Sequence, residues 1–271
     1  MQKIIVILSI LVLFSSCEDI FLKETDVNLA IEDKLVVESF ISPQDDEIVV
    51  RLKYAQPTVG YVPFEKSSSN PIPDATVKLS NGDSTVILTF HEFKDYTIAA
   101  DSFPIQPGVT YYLDIKTHNG LVAKSTCTVP INKIDASSIS SKRIGDKLFV
   151  TWRDIPDENN WYSLFHLRFE WDDNQWSLGT NYLLDEMFTD ENADGAIFNT
   201  NFYYASVSNN SYYNILLLCN VDEHYYKFHK TKAAQFAANE SIFAEPSSIY
   251  TNIEGGYGVF AAYNAVAIKL D

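Results

Sequence analysis

The chain of 271 residues lacks the signatures of the common catalytic machineries. There is no Gly-x-Ser-x-Gly elbow, no phosphate-cradling glycine loop, no His-Glu-x-x-His and no Cys-x-x-Cys. Five histidines are too few and too scattered to suggest a cluster: His224 and His229 sit five apart, on different faces of any helix, and His91, His118 and His166 occur singly. Positive charge is scarce. Twenty Lys and Arg stand against 36 Asp and Glu, a net charge of −16, so the surface repels phosphates and nucleic acid is excluded as a partner. Internal repeats and low-complexity blocks are absent. Only three cysteines occur, at 17, 127 and 219.

Long apolar runs are missing too, with one exception at the start. Ile4 to Phe14 follows Lys3 and precedes Ser15-Ser16-Cys17. That apolar core is short for a bilayer span, which needs about 20 residues. A charged start, a short apolar core and small residues before a cysteine resemble a bacterial lipoprotein signal peptide. The resemblance implies removal of residues 1–16 and acylation of Cys17, by palmitate or similar chains, which together hold a protein on a membrane almost permanently. Residues 17–33 then form a polar tether.

Aromatics are abundant, with 17 Phe and 16 Tyr, and hydrophobic residues reach 46%. A large core is therefore within reach, and disorder over most of the length is not expected. From Leu35 onward, short alternating stretches are separated by turn residues: Leu35 to Ile41, Glu47 to Ala55, Thr76 to Ser80, Ser84 to Phe90, Val109 to Lys116 and Leu121 to Val129. Asn81-Gly82 and Asn119-Gly120 mark hairpin turns, where both residues are expected at positive φ. The pattern predicts a mostly β protein, beginning with an immunoglobulin-like or transthyretin-like sandwich over 34–130. A second antiparallel β-rich domain is expected over 131–271, with strands at Lys147 to Trp152, Trp161 to Trp171, Phe198 to Val207 and Ser211 to Val221. One amphipathic helix is predicted over 222–239, with Asp222 as N-cap and Tyr226, His229, Ala233, Phe236 and Ala237 on the face against that second sheet. Gly258 to Leu270 reads as a buried final strand, with Gly255, Gly256 and Phe260 beside the second sheet's core.

Three constellations merit a chemical reading. Asp190, Asn192 and Asp194, followed by Gly195, match the opening of an EF-hand-like calcium loop, where hard oxygens at alternate positions suit calcium and Gly permits the bend. The twelfth position is Asn201 rather than a bidentate Glu, and no helix clearly precedes the loop, so an acidic turn is the competing reading. Aromatic pairs such as Trp161-Tyr162, Tyr203-Tyr204 and Tyr225-Tyr226 offer stacking surfaces, although on a strand one ring of each pair points into the core. Cys127 and Cys219 alternate with apolar neighbours and read as core residues. Export would permit a disulfide between them without requiring one.

The stretch Phe243-Ala244-Glu245-Pro246-Ser247-Ser248-Ile249-Tyr250-Thr251-Asn252-Ile253-Glu254-Gly255-Gly256-Tyr257-Gly258-Val259-Phe260, together with Leu35-Val36-Val37-Glu38 and Pro73-Asp74-Ala75-Thr76-Val77, resembles the domain-of-unknown-function 4249 family. The resemblance implies an outer-membrane lipoprotein of Bacteroidetes-type bacteria, often encoded beside a TonB-dependent receptor. It implies an accessory, non-enzymatic role in ligand capture or uptake, with an adhesive or structural surface subunit as the alternative. No catalytic residue follows from the family, and no cofactor beyond the calcium candidate. Glu18-Asp19 after Cys17 resembles an acidic signal for export to the cell surface. The expected partners are a membrane, through the lipid, and a receptor barrel. Ligand-binding residues remain unassigned.

Overall fold

Alternation of more and less buried positions runs through most strands of the computed structural model, which describes residues 33–55, 72–93, 95–172, 175–203, 212–239 and 248–270. In chain order these are β1 (Leu35–Ile41), β2 (Glu47–Tyr54), β3 (Thr76–Ser80), β4 (Thr85–Ile87), β5 (Thr89–His91), β6 (Asp95–Ala99), β7 (Thr110–Lys116) and β8 (Val122–Thr128). There follow β9 (Ser140–Ile144), β10 (Lys147–Arg153), β11 (Trp161–Asp172), β12 (Gln175–Thr189), β13 (Ile197–Tyr203), β14 (Tyr212–Val221), the helix α1 (Glu223–Asn239) and β15 (Gly256–Leu270). The protein is mostly β and sandwich-like, with α1 the one α-helix among the described residues.

An eight-stranded sheet in the order β12-β11-β14-β15-β1-β2-β6-β5 runs through the described molecule. Sheet β4-β3-β7-β8 packs on one end of it and sheet β13-β10-β9 on the other. The first core gathers Leu35, Val37, Leu52, Val77, Leu79, Tyr111, Ile115 and Phe260. The second gathers Ile134, Val150, Trp152, Tyr162, Leu164, Leu216 and Leu218. Such residues alternate along each strand because successive side chains point to opposite faces, and only one face meets the partner sheet.

β15 departs from this alternation with a continuous buried run, and its position sets the architecture. Its first half pairs in parallel with β1, from Leu35↔Gly256 to Ile41↔Ala262. Its second half pairs antiparallel with β14, from Val221↔Tyr263 to Asn214↔Leu270. The sequence boundary at 130/131 marks where the chain leaves the first core, but not where one sheet stops. Gln44 reinforces the junction: its Nε2 donates to Asn264 Oδ1 at 3.1 Å, and its Oε1 accepts from Ala265 N at 2.8 Å. Asn264 Nδ2 in turn donates to Pro130 O at 3.0 Å. Gly255, Gly256 and Phe260 thus lie against the first sandwich rather than the second. Val259, Phe260, Ala261 and Ala262 are all fully buried, the continuous apolar run expected of a strand covered on both faces.

Helix α1 covers the other face of the long sheet, burying Tyr225 and Phe228 against Cys219, Val221, Val259, Ala261 and Ala265. Asp222 caps it, its Oδ1 accepting from Tyr225 N at 2.8 Å. The predicted stripe is corrected along its length: Phe236 is 67% exposed, and Ala233 and Ala237 are exposed as well. The predicted Tyr226 and His229 do pack, beside Tyr225 and Phe228, because only the first half of α1 lies over the sheet's aromatic and small residues.

Other sequence expectations shift for local reasons. The strand predicted over Ser84 to Phe90 breaks at buried Leu88, whose N–H donates to Val77 O at 3.0 Å, and β4 and β5 belong to different sheets. In the two Asn-Gly turns only Gly82 and Gly120 take positive φ. Asn81 instead accepts two backbone N–H groups on its side-chain oxygen, from Asp83 and Ser84, as an Asx turn. Cys127 and Cys219 are both buried free thiols, Cys127 in the first core and Cys219 in the layer beneath α1.

Candidate functional site

The second sandwich brings three carboxylates together where β12 crosses over to β13. Asp154 follows the last residue of β10, and Asp190 and Asp194 lie in the turn that starts after Thr189. One carboxylate oxygen of each lies within 4.8 Å of the others. Asp154 ties the turn to the sheet: its N–H donates to Ala196 O at 2.9 Å and its Oδ2 accepts from Gly195 N at 2.7 Å. Its other oxygen accepts from the Tyr162 hydroxyl, which itself accepts from Ile155 N at 3.1 Å. Gly195 adopts φ 70° and Asn192 φ 69°, and these two left-handed residues fold the turn back on itself.

Asp190 is only 4% exposed. Its backbone N–H donates to Asn160 O at 3.3 Å and its carbonyl accepts from Ala193 N at 2.6 Å, yet its Oδ2 is buried without a hydrogen-bond partner. Burial raises its carboxyl above the ordinary carboxylate range, and the charges of Asp154 and Asp194 push the same way. Asp194 is exposed, and its Oδ1 accepts from Asp157 N at 3.0 Å.

Asp190 and Asp194 therefore converge as the sequence spacing suggested, and Asn192 sits exposed at the turn's apex. The EF-hand analogy does not extend to the flanks, since the turn joins two strands, β12 and β13. Asp154 was missed by the sequence reading. It stands 36 residues earlier in the chain, between two predicted strands, and no spacing rule links it to Asp190. Cys17 lies outside the described residues.

A second feature adjoins the first through Asn160. An open cleft of about 340 Å³ lies beside the N-terminus of α1, lined by Asn159, Asn160, Trp161, Asn220, Glu223 and His224 among others. Asn160 is 3% exposed; its Nδ2 donates to Asn220 Oδ1 at 3.4 Å, while its own Oδ1 has no partner. Asn220 Nδ2 donates to Asn132 O at 2.9 Å. His224 Nδ1 lies 2.7 Å from the Tyr250 hydroxyl, and burial lowers its pKa below the usual value. Trp161 is half-buried while its neighbour Tyr162 is fully buried, the in-and-out arrangement expected of adjacent aromatics on a strand. The side chains of Trp171, Trp176, Tyr204, Tyr212 and Tyr213 lie outside the described residues.

The fold and these sites define a two-core β-sandwich protein whose sheets share a final strand, with a polar cleft and an acidic turn on its second half. The chain belongs to the family described as Domain of unknown function (DUF4249), which matches residues 22–268. No curated protein matches the chain. Among solved structures, a candidate carbohydrate binding protein from Bacteroides uniformis is similar at 11% identity and a TM-score of 0.25, covering 87% of this chain and 98% of its own. The FN1-FN3 domains of chicken CNTN1 are similar at 12% identity and a TM-score of 0.23, with 86% and 68% covered. Likenesses of that size carry no argument about function.

Proposed function

We propose that this protein is a lipid-anchored, non-enzymatic protein of the outer membrane, facing the cell exterior, which captures a ligand for a neighbouring TonB-dependent receptor. The observation that carries this reading is Cys17 at the end of the apolar run Ile4 to Phe14, preceded by Ser15-Ser16. Acyl chains on that cysteine tether an acidic body to the bilayer, and the tether lets the body reach a membrane-embedded barrel. The family is described only as one of unknown function, and it is the resemblance of the sequence to that family that implies this setting. The cleft beside α1 is the place where a small polar ligand docks: Trp161 offers an aromatic face, and Asn160 Oδ1 a buried acceptor in need of a donor.

Mass spectrometry of the mature chain tests the anchor, with acylated Cys17 expected as the first residue. The Cys17→Ser chain is expected in the soluble fraction instead of the membrane fraction. Residues 1–16 retained, or an unmodified thiol at position 17, would sink the proposal. A receptor barrel is expected to copurify in mild detergent. Deleting that receptor is expected to abolish the uptake role, and a role of the protein that survives the deletion favours an adhesive or structural subunit.

A further inference from the structure

We infer that Asp154, Asp190 and Asp194 together form a binding site for a hard divalent cation of calcium's size, joining the β12–β13 turn to the end of β10. The inference is independent of where the chain is anchored and of what fills the cleft.

Two separate observations meet at this point. The first is geometric. A calcium ion binds oxygens at about 2.3–2.6 Å, so two of its ligands stand no more than about 5 Å apart even when opposite each other. One oxygen from each of the three carboxylates falls within 4.8 Å of the others, which fits a shared ion between them. The second is the state of Asp190. Its Oδ2 is buried and accepts no hydrogen bond, although buried polar atoms are satisfied in the great majority of cases and a lone one costs about 1–3 kcal/mol. A cation supplies the missing partner.

The donor chemistry narrows the ion. All three donors are carboxylates, which suit magnesium, calcium or manganese and disfavour soft metals. Calcium tolerates irregular ligand numbers and angles, whereas magnesium demands a near-ideal octahedron. Here the donors come from two separate segments, and Asp194 is exposed, which leaves room for water to complete the shell. The hydrogen bonds from Gly195 N and the Tyr162 hydroxyl fix the Asp154 carboxylate, the role that outer partners play around metal ligands.

The test uses the full chain in detergent, stripped with chelator and then titrated with calcium alone. Thermal unfolding is expected to shift upward by about 3–6 °C when calcium stands at tenfold its Kd. Terbium, which substitutes for calcium, is expected to show saturable emission on excitation near 280 nm, because the Tyr162 hydroxyl bonds directly to Asp154. Calcium should displace that signal.

Asp190→Asn separates binding from folding. In chelator the variant is expected to unfold at or above the wild-type temperature, since it loses a buried like-charge contact. In calcium it is expected to gain nothing, with terbium emission reduced at least tenfold. The inference is overturned if the wild-type chain shows no calcium-dependent shift and no saturable terbium emission at millimolar metal. It is equally overturned if Asp190→Asn and wild type respond to calcium alike.

Discussion

At the scale of single residues, the closest approach to a glycine among those described is at Gly258. Gly258 has φ 105°, a conformation costly for any residue with a Cβ, and a Cβ there would stand 1.9 Å from Val37 O. The reason is the parallel ladder, which places Gly258 directly opposite Val37 of β1. Gly82 has a similar φ of 92° but open space around it. We therefore expect Gly258→Ala to cost about 3 kcal/mol or more, and Gly82→Ala only about 1–2 kcal/mol from backbone strain. Urea unfolding midpoints measure both, and equal losses would contradict the packing described here. The glycines were visible in the sequence as a permissive stretch. Which backbone they accommodate was not, because Val37 lies more than 200 residues away.

At the scale of elements, the junction between β14, α1 and β15 depends on one carboxylate. Asp222 Oδ1 accepts from Tyr225 N and caps the helix, while Oδ2 accepts from Ala262 N at 3.1 Å and fixes the strand where it changes partner. Burial raises its pKa to about 7 in spite of these bonds. A carboxyl whose folded pKa exceeds its unfolded value binds an extra proton on folding, so its contribution is full below about pH 4 and is lost as pH rises through 7. Asp45, raised to about 6 by burial, acts in the same direction. His229 opposes both: burial lowers it to about 4, so stability linked to it rises between pH 4 and 6.5. The Asp222 effect is consequently read as a difference. The stability of wild type relative to Asp222→Asn is expected to fall by a few kcal/mol, roughly, from pH 5 to pH 8. Denaturant unfolding across that range measures it, and a flat difference would rule out the raised carboxyl. The capping role was legible from Asp222 preceding a helical pattern. Its second bond, to a strand 40 residues later, was not.

At the scale of the whole molecule, β15 makes the two cores interdependent. The first sandwich, 34–130 in sequence, has its edge strand β1 paired along its full length with residues 256–262, and Phe260 fills its core. A fragment of residues 33–130 keeps the pairing of β1 with β2 but leaves the other edge of β1 open, and it removes the Phe260 side chain, a loss of about 3–5 kcal/mol on its own. We expect such a fragment to show no cooperative thermal transition, whereas the full chain unfolds cooperatively. An independently folded fragment with a sharp transition would show that the shared strand is dispensable.

The strands, the helix start and the acidic turn follow from local rules. Alternation with period two places side chains on opposite faces whatever the partner, an Asp before a helical pattern finds free N–H groups, and Asp190 and Asp194 lie close enough in sequence to converge. Strand partners, the buried row of α1 and the arrival of Asp154 beside Asp190 were decided only by tertiary structure. Each depends on chain segments tens to hundreds of residues apart, and the free energy that selects among such pairings comes from burial in the assembled core, which no local window of sequence contains.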